Sequence, residues 1–115
     1  MAQKEQHSAY PHIARYIDDW LREYQPMLRA VMIDGAKGVG KTESAKQLAN
    51  TVIELDDRGE QETLAANFDR IRSDTPPVLL DEWQYLPEVW DRVRRMVDDR
   101  IPRGSIILTG SIQTA

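Results

Sequence analysis

Residues 30–45 read AVMIDGAKGVGKTESA, and this stretch decides the fold. Its first six residues form a short apolar run that ends at Gly35, which is typical of a largely buried strand. The good helix formers that begin at Lys41 predict a helix. Between the two, Gly35, Gly40, Lys41 and Thr42 match the spacing G-x-x-x-x-G-K-[ST], the pattern of a phosphate-binding loop between a strand and a helix.

The glycines of such a loop let successive backbone N–H groups face a phosphate, and the helix N-terminus adds about half a positive charge. Lys41 is expected to reach the β- and γ-phosphates, and Thr42 to offer its hydroxyl to Mg²⁺. A dinucleotide fingerprint G-x-G-x-x-G is excluded, because Glu43 stands where its third glycine would be. The alternative is a flexible glycine turn that matches by chance. The residues predicted to line the nucleotide here are Gly35, Ala36, Lys37, Gly38, Val39, Gly40, Lys41, Thr42 and Glu43.

The remaining chain alternates helical and strand patterns, which predicts an α/β fold with a parallel sheet covered on both faces. Further strands are predicted at TVIEL (51–55), VLLDE (78–82) and SIILTGS (105–111). The predicted helices have apolar faces formed by Ile13, Tyr16, Ile17, Trp20, Leu21 and Tyr24, with Pro26 as the end; by Leu64, Phe68 and Ile71; and by Leu86, Val89, Trp90, Val93, Met96 and Val97. Trp20, Trp83 and Trp90 are interpreted as packing residues.

Two acidic residues lie at the end of the third predicted strand, and the presence of the phosphate loop suggests a function for them. Because parallel strands end at the same edge of a sheet, Asp81 is expected to face the Mg²⁺ that Thr42 holds, either directly or as an outer ligand. Glu82 is expected to orient and deprotonate an attacking water as a general base. A buried strand that ends in acids is common, so a solvated strand-end acid is the alternative for Glu82.

The fourth strand ends in ILTGS, which brings hydroxyl groups to the same predicted edge. Thr109 or Ser111 could hold the attacking water or the γ-phosphate. A simple turn formed by T-G-S is equally consistent with these residues.

Composition limits the possibilities further. The chain has 115 residues, a formal net charge of −4 and no cysteine, which indicates one globular domain without disulfides or thiolate metal sites. No apolar run approaches the length of a membrane span, and the polar start MAQKEQHSAY does not resemble a secretion signal. A cytoplasmic protein without membrane contact is therefore expected.

The blocks DGAKGVGKTESA, VIELDD, PPVLLDEWQYLPEVWDRVRR and ILTGS resemble those of prokaryotic AAA+-type P-loop ATPases that carry a further C-terminal domain of poorly defined role. The resemblance begins near Tyr10, and its LLDEWQ…PEVWD block is more specific than the phosphate loop. It implies an ATP-binding domain with Lys41 and Thr42 as Walker A residues and Asp81 and Glu82 as Walker B residues. Thr109 or Ser111 would be the sensor, and Glu82, Lys41 and Thr109 would act in catalysis.

The resemblance also implies a fifth strand, an arginine finger, any lid and the C-terminal domain beyond Ala115. The chain is therefore expected to be an N-terminal fragment, with a lead-in helix at 1–26 and an incomplete P-loop core at 30–115. Hydrolysis by this fragment is expected to be slow or absent. The acid side chain of Glu43, close to the expected α-phosphate, could weaken nucleotide binding.

Mg²⁺-dependent ATP binding and hydrolysis is the function predicted from these residues. Two alternatives stay open: a phosphotransferase (kinase), and a non-catalytic module that binds nucleotide, a protein or a nucleic acid. The strand order implied by the resemblance, 2-3-4-1-5, would leave the first strand without its outer neighbour. Such an edge predicts a homo-oligomer with Val31 and Ile33 near the contact. Residues 1 to 12 or a rearranged C-terminal strand could cover the edge instead.

Overall fold

A four-stranded parallel sheet forms the centre of the computed structural model, which describes residues 11–36 and 38–111. The strands are β1 (Ala30–Gly35), β2 (Thr51–Glu54), β3 (Val78–Asp81) and β4 (Ile106–Ser111), in the spatial order β1-β4-β3-β2. Every neighbouring pair is parallel. The predicted α/β class is confirmed, and so is the expected order of these four strands.

Helices cover both faces of the sheet, as the crossovers between parallel strands require. In the described ranges they are α1 (Pro11–Tyr24), α2 (Lys41–Leu48), α3 (Arg58–Ala66), α4 (Arg70–Ser73) and α5 (Glu88–Asp98). Short 3₁₀ turns follow α1 at Gln25–Met27 and β3 at Trp83–Tyr85. No helix among the described residues is long and apolar enough to cross a membrane.

The apolar core lies on the two faces of the sheet. All four residues of β3 are buried, which explains why this strand reads as a continuous apolar run and not as an alternation. Leu80 and Leu108 belong to the larger cluster, which includes side chains from α3, α4 and α5. Leu79 and Ile107 point to the other face and belong to the cluster that includes α1 and α2 side chains. The two central strands are thereby fixed from both sides.

The helix predicted through Leu64, Phe68 and Ile71 is wrong as a continuous element. It is broken at Asn67, whose backbone (φ −157, ψ 82) is not helical, so that α3 ends at Ala66 and α4 begins at Arg70. All three apolar side chains are nevertheless buried in the larger cluster. The spacing thus identified the buried residues correctly, while the backbone between them turns.

Some residues assigned to apolar faces lie near solvent. In α1, Leu21 is fully buried, whereas Tyr16 is 68% exposed and Tyr24 38% exposed. Trp90 is 41% exposed although its ring contacts that of Trp83 at 5.4 Å between centroids. Pro26 lies in the 3₁₀ turn that follows α1, so it marks the end of the helix as predicted.

Strand β1 lies at one edge of the described sheet, where it pairs with β4 alone among the described residues. Its side chains alternate between the faces: Val31 is buried in the α1/α2 cluster, and Met32 on the other face is 37% exposed. An open apolar groove runs beside Met32 between β1 and α5. The Val31 side chain is thus covered within the chain, while the contact between copies expected near Val31 and Ile33 stays a prediction.

Candidate functional site

The phosphate loop connects β1 to α2 at the carboxyl edge of the sheet. Gly38 (φ 86) and Gly40 (φ 98) adopt left-handed backbone conformations that favour glycine. Gly40 is the N-cap of α2, and its carbonyl accepts the N–H of Ser44 at 3.0 Å. A Cβ on Gly35 would meet only ordinary contact with Val39, at 3.8 Å, so this position does not need glycine for steric reasons.

The other predicted loop residues have different surroundings. Ala36 and Glu43 are exposed, and Val39 is half-buried. Glu43 lies in the first turn of α2, where a negative charge is favourable to the helix. Lys37, which was also assigned to nucleotide binding, lies outside the described residues.

Lys41 is the first residue of α2, and its side chain points into the site. The residue is only 3% exposed, and its ammonium group donates a hydrogen bond to the Ser111 hydroxyl at 3.1 Å. These two residues are seventy positions apart in the chain, and the pairing of β1 with β4 brings them together. The structure therefore places the predicted loop lysine beside one of the two predicted hydroxyl residues.

Asp81 at the end of β3 receives hydrogen bonds from two hydroxyl groups. Thr42 donates to Asp81 Oδ1 at 3.0 Å, which joins α2 to the sheet. Thr109 donates to the same oxygen at 2.5 Å, because residues 81 and 109 are register partners in adjacent strands. Thr109 is fully buried and Asp81 is 6% exposed. The predicted metal pair, Thr42 and Asp81, is thus in direct contact.

Glu82 follows β3 in a left-handed conformation (φ 59, ψ 56) that is uncommon for a residue with a side chain. Its N–H donates to the Thr109 hydroxyl at 3.2 Å. Its carboxylate accepts hydrogen bonds from Ser111 Oγ at 3.0 Å and from Gln84 Nε2 at 2.7 Å. Glu82 is only 7% exposed, so the alternative of a solvated strand-end acid does not hold.

The donor set suits a hard divalent cation. Two adjacent ligands of octahedral Mg²⁺, each about 2.0–2.1 Å from the metal, lie about 3 Å apart. The Thr42 hydroxyl and Asp81 Oδ1 have that separation. No group of three or more His, Cys, Asp or Glu residues in the described ranges could hold a metal. This donor set fits a cation that keeps several waters and takes further oxygens from phosphates.

Lys46 is a second lysine of α2, and it lies toward the end of the helix. It forms an ion pair with Glu54 at the end of β2, with 3.0 Å between Nζ and Oε2. The hydrogen bond to Glu54 raises the pKa of Lys46 above its ordinary value of 10.5, and the nearby Asp81 and Glu43 carboxylates act in the same direction. This lysine is therefore a fixed cation near the Asp81 carboxylate at neutral pH.

Three residues near the site were missed by the sequence analysis. Asp34 and Gly110 are register partners in β1 and β4, and Trp83 lies against them. A Cβ on Gly110 would overlap the Asp34 carboxylate and would lie 2.8 Å from the indole nitrogen of Trp83. Gly110 is therefore required for the close approach of these side chains. Their proximity could not be predicted without the register of β1 on β4.

Gln84 is the fourth missed residue, and it lies in the 3₁₀ turn after β3. A partial signal is present, since Gln84 stands two positions after Glu82 in the LLDEWQ block. Which way its side chain points depends on the left-handed backbone at Glu82, which residue spacing does not reveal.

Together, the site presents a buried ammonium, a hydroxyl–carboxylate pair and a second, well-fixed carboxylate at one edge of the sheet. The ammonium and the backbone of the loop can bind an anion. The hydroxyl–carboxylate pair can take part in binding a cation, and the second carboxylate can accept a proton. These are capacities that suit the binding of a phosphorylated ligand.

Comparison with known families gives one assignment. A family model described as an AAA domain matches residues 28–115, which is well over half of the chain. Comparison with curated proteins and with solved structures gives no significant match.

Proposed function

Because the chain belongs to the AAA domain family, a family of P-loop nucleotide-binding modules, we propose that it binds ATP with Mg²⁺ and hydrolyses the bond between the β- and γ-phosphates. The observation that carries this proposal is the contact between the two motifs. Thr42 of the phosphate loop lies 3.0 Å from Asp81 at the end of β3, and Lys41 and Glu82 share the hydroxyl of Ser111.

Binding of the triphosphate is assigned to the loop and to the start of α2. The N–H groups at the start of α2 face the anion, and Lys41 pairs with the β- and γ-phosphates after leaving Ser111. Thr42 and Asp81 would hold Mg²⁺, which would neutralise phosphate charge when bound. The burial of Lys41 supports this assignment, because an ammonium withdrawn from water gains more from an anionic partner.

Hydrolysis is assigned to Glu82. Its carboxylate has four lone-pair positions, and the hydrogen bonds from Ser111 and Gln84 use two of them. The remaining positions can orient a water molecule and accept its proton as the water attacks the γ-phosphorus. Thr109 supports this role indirectly, because it fixes the backbone N–H of Glu82 and the Asp81 carboxylate with one hydroxyl.

Lys41→Ala tests the binding part of the proposal. Loss of one charge-assisted contact should weaken ATP binding by about 1.5–3 kcal/mol, or about tenfold to a hundredfold in Kd. Isothermal titration with ATP and Mg²⁺ measures the change, and Arg58→Ala, an exposed cation on α3, is the matched control. An affinity that is the same in the Lys41 variant and the wild type would refute the assignment of the loop.

Glu82→Gln tests the chemical part. The amide can still accept a hydrogen bond from water but cannot take its proton, so ATP should bind while hydrolysis is lost. Release of inorganic phosphate without any added acceptor distinguishes hydrolysis from transfer to a second substrate. Binding without phosphate release in the wild type would instead indicate a module that uses ATP as a structural ligand.

The partners of the chain belong to the same proposal. ATP and ADP are the small-molecule partners, and association with further copies is proposed through the edge of β1, where Met32 is exposed beside an apolar groove. A cytoplasmic location is proposed together with this function, since ATP is abundant in that compartment.

A further inference from the structure

We propose that Gln84 is a positioning residue that fixes the orientation of the Glu82 carboxylate. The proposal rests on the function proposed above, in which Glu82 is the general base. It assigns to Gln84 no contact with nucleotide or water. Its effect on the reaction would act through the carboxylate alone.

The contact between the two side chains is short and has one sensible orientation. Gln84 Nε2 donates to Glu82 Oε1 at 2.7 Å, at the short end of the range for a hydrogen bond from nitrogen to a charged oxygen. Turning the amide over would place its carbonyl oxygen against the carboxylate, so the NH₂ group must face Glu82. Because Glu82 is buried, this hydrogen bond faces little competition from water.

The carbonyl group of the Gln84 side chain argues against a purely structural role. Its carbonyl oxygen is buried and has no hydrogen-bond partner among the described residues. A buried carbonyl without a donor is unfavourable, so an apolar side chain of the same length would suit this position better for stability alone. The hydrogen bond to Glu82 is what a glutamine supplies here and a methionine would not.

The backbone that carries Gln84 is well fixed. The 3₁₀ turn is closed by hydrogen bonds from the Tyr85 N–H to the Glu82 carbonyl at 3.2 Å and from the Leu86 N–H to the Trp83 carbonyl at 2.9 Å. Packing of Trp83 against Trp90 anchors the same turn on α5. A side chain on such a turn can hold its partner in a defined position.

Gln84 also differs from Ser111, the second side chain that holds Glu82. Ser111 accepts a hydrogen bond from Lys41, so the position of its hydroxyl depends on where Lys41 points. In the proposed function Lys41 turns toward the phosphates. The bond from Gln84 involves no residue of the phosphate loop, so it can persist when nucleotide binds and hold the carboxylate during the reaction.

Gln84→Met tests the inference, because methionine has a similar length and cannot donate the hydrogen bond. We expect kcat for ATP hydrolysis to fall by about tenfold or more, since a small misplacement of a reacting group is sufficient for such a loss. The Kd for ATP and the KM should stay within about twofold, because Gln84 is outside the binding contacts. Asn50→Leu is the matched control: it removes an amide hydrogen bond, to the Pro76 carbonyl at 2.8 Å, at the opposite edge of the sheet.

The outcomes separate the two proposals. A Gln84→Met variant that hydrolyses ATP as fast as the wild type would overturn the role of Gln84 but not the proposed function. Wild-type protein that binds ATP but releases no phosphate above the uncatalysed rate, measured with protein in excess and for long enough to detect slow turnover, would overturn both. Equal losses of kcat and of Tm in Gln84→Met and Asn50→Leu would show a general structural effect and overturn the positioning role.

A measurement that needs no turnover checks the contact itself. The side-chain amide resonances of Gln84 should shift in Glu82→Ala relative to the wild type, while those of Asn50 stay in place. Unchanged Gln84 resonances would contradict the hydrogen bond and with it the inference.

Discussion

Thr109→Val removes one hydroxyl that serves two partners in the interior of the site. Valine has nearly the same shape as threonine, so the packing of the fully buried side chain is retained. The Glu82 N–H loses its acceptor at 3.2 Å, and Asp81 loses its donor at 2.5 Å. The change therefore isolates the hydrogen bonds from the packing.

The magnitude follows from the burial of both partners. Leaving the buried Glu82 N–H unpaired should cost about 1–3 kcal/mol, and losing a hydrogen bond to the charged Asp81 about 1.5–3 kcal/mol. Asp81 keeps its hydrogen bond from Thr42, so the two losses together should destabilise the fold by about 2–5 kcal/mol. At about 2.1 cal/mol/K per residue, the entropy of unfolding of 115 residues converts this into a Tm lowered by roughly 8–20 °C.

Urea unfolding followed by tryptophan fluorescence, together with calorimetry, measures both quantities. Thr109→Ser keeps the hydroxyl and should lose only the contribution of a buried methyl group, about 1 kcal/mol. Thr63→Val, on the exposed face of α3, controls for removal of a hydroxyl near water and should change stability by about 0.5 kcal/mol or less. If Thr109→Val were as stable as Thr109→Ser, the hydrogen bonds would not have the importance assigned to them.

Three further perturbations test other parts of the structure. Gly110→Ala should destabilise the fold by about 1–3 kcal/mol, because the new methyl group displaces the packed Trp83 ring; an unchanged Tm would contradict the close approach. Lys46→Met should destabilise by about 0.2–1 kcal/mol at pH 7, since the ion pair with Glu54 is partly exposed. Because the pKa of Lys46 is raised in the folded state, this stabilisation is complete below pH 10.5 and is lost as the pH rises through the folded-state pKa. The free energies of unfolding of the wild type and Lys46→Met should therefore differ by a constant amount at neutral pH and converge above pH 10.5. Sedimentation equilibrium over a concentration range of about tenfold should show self-association of the wild type, and Met32→Lys should weaken it. A strictly monomeric wild type would refute pairing through β1.

Much of the fold was predictable because several signals agree at the strands. The stretch 30–35 combines apolar residues with a terminal glycine, and β1 has these same bounds. The family resemblance inferred from the sequence blocks is confirmed by the AAA domain match. The break at Asn67 was not predictable in the same way, since apolar spacing reports which side chains are buried and does not require a continuous helix between them.

The site divides along a similar line. The contact between Thr42 and Asp81 could be predicted, because it depends only on two strands ending at one edge of a parallel sheet. The contacts of Gln84 and of Trp83 with Gly110 depend on the left-handed backbone at Glu82 and on the register of β1 and β4. Those features arise from the assembled sheet, so residue spacing carries no direct signal for them.

The single hydroxyl of Thr109 ties Asp81 and the backbone of Glu82 to β4, whereas Lys41 and Thr42 belong to α2. The two carboxylates are therefore attached to the sheet, and the ammonium group and its neighbouring hydroxyl are attached to the helix. A ligand that contacts both sets of groups links α2 to the sheet. Occupancy of the site would accordingly hold α2 more firmly on the sheet. The rigidity of this attachment would then depend on the bound ligand as well as on the apolar core.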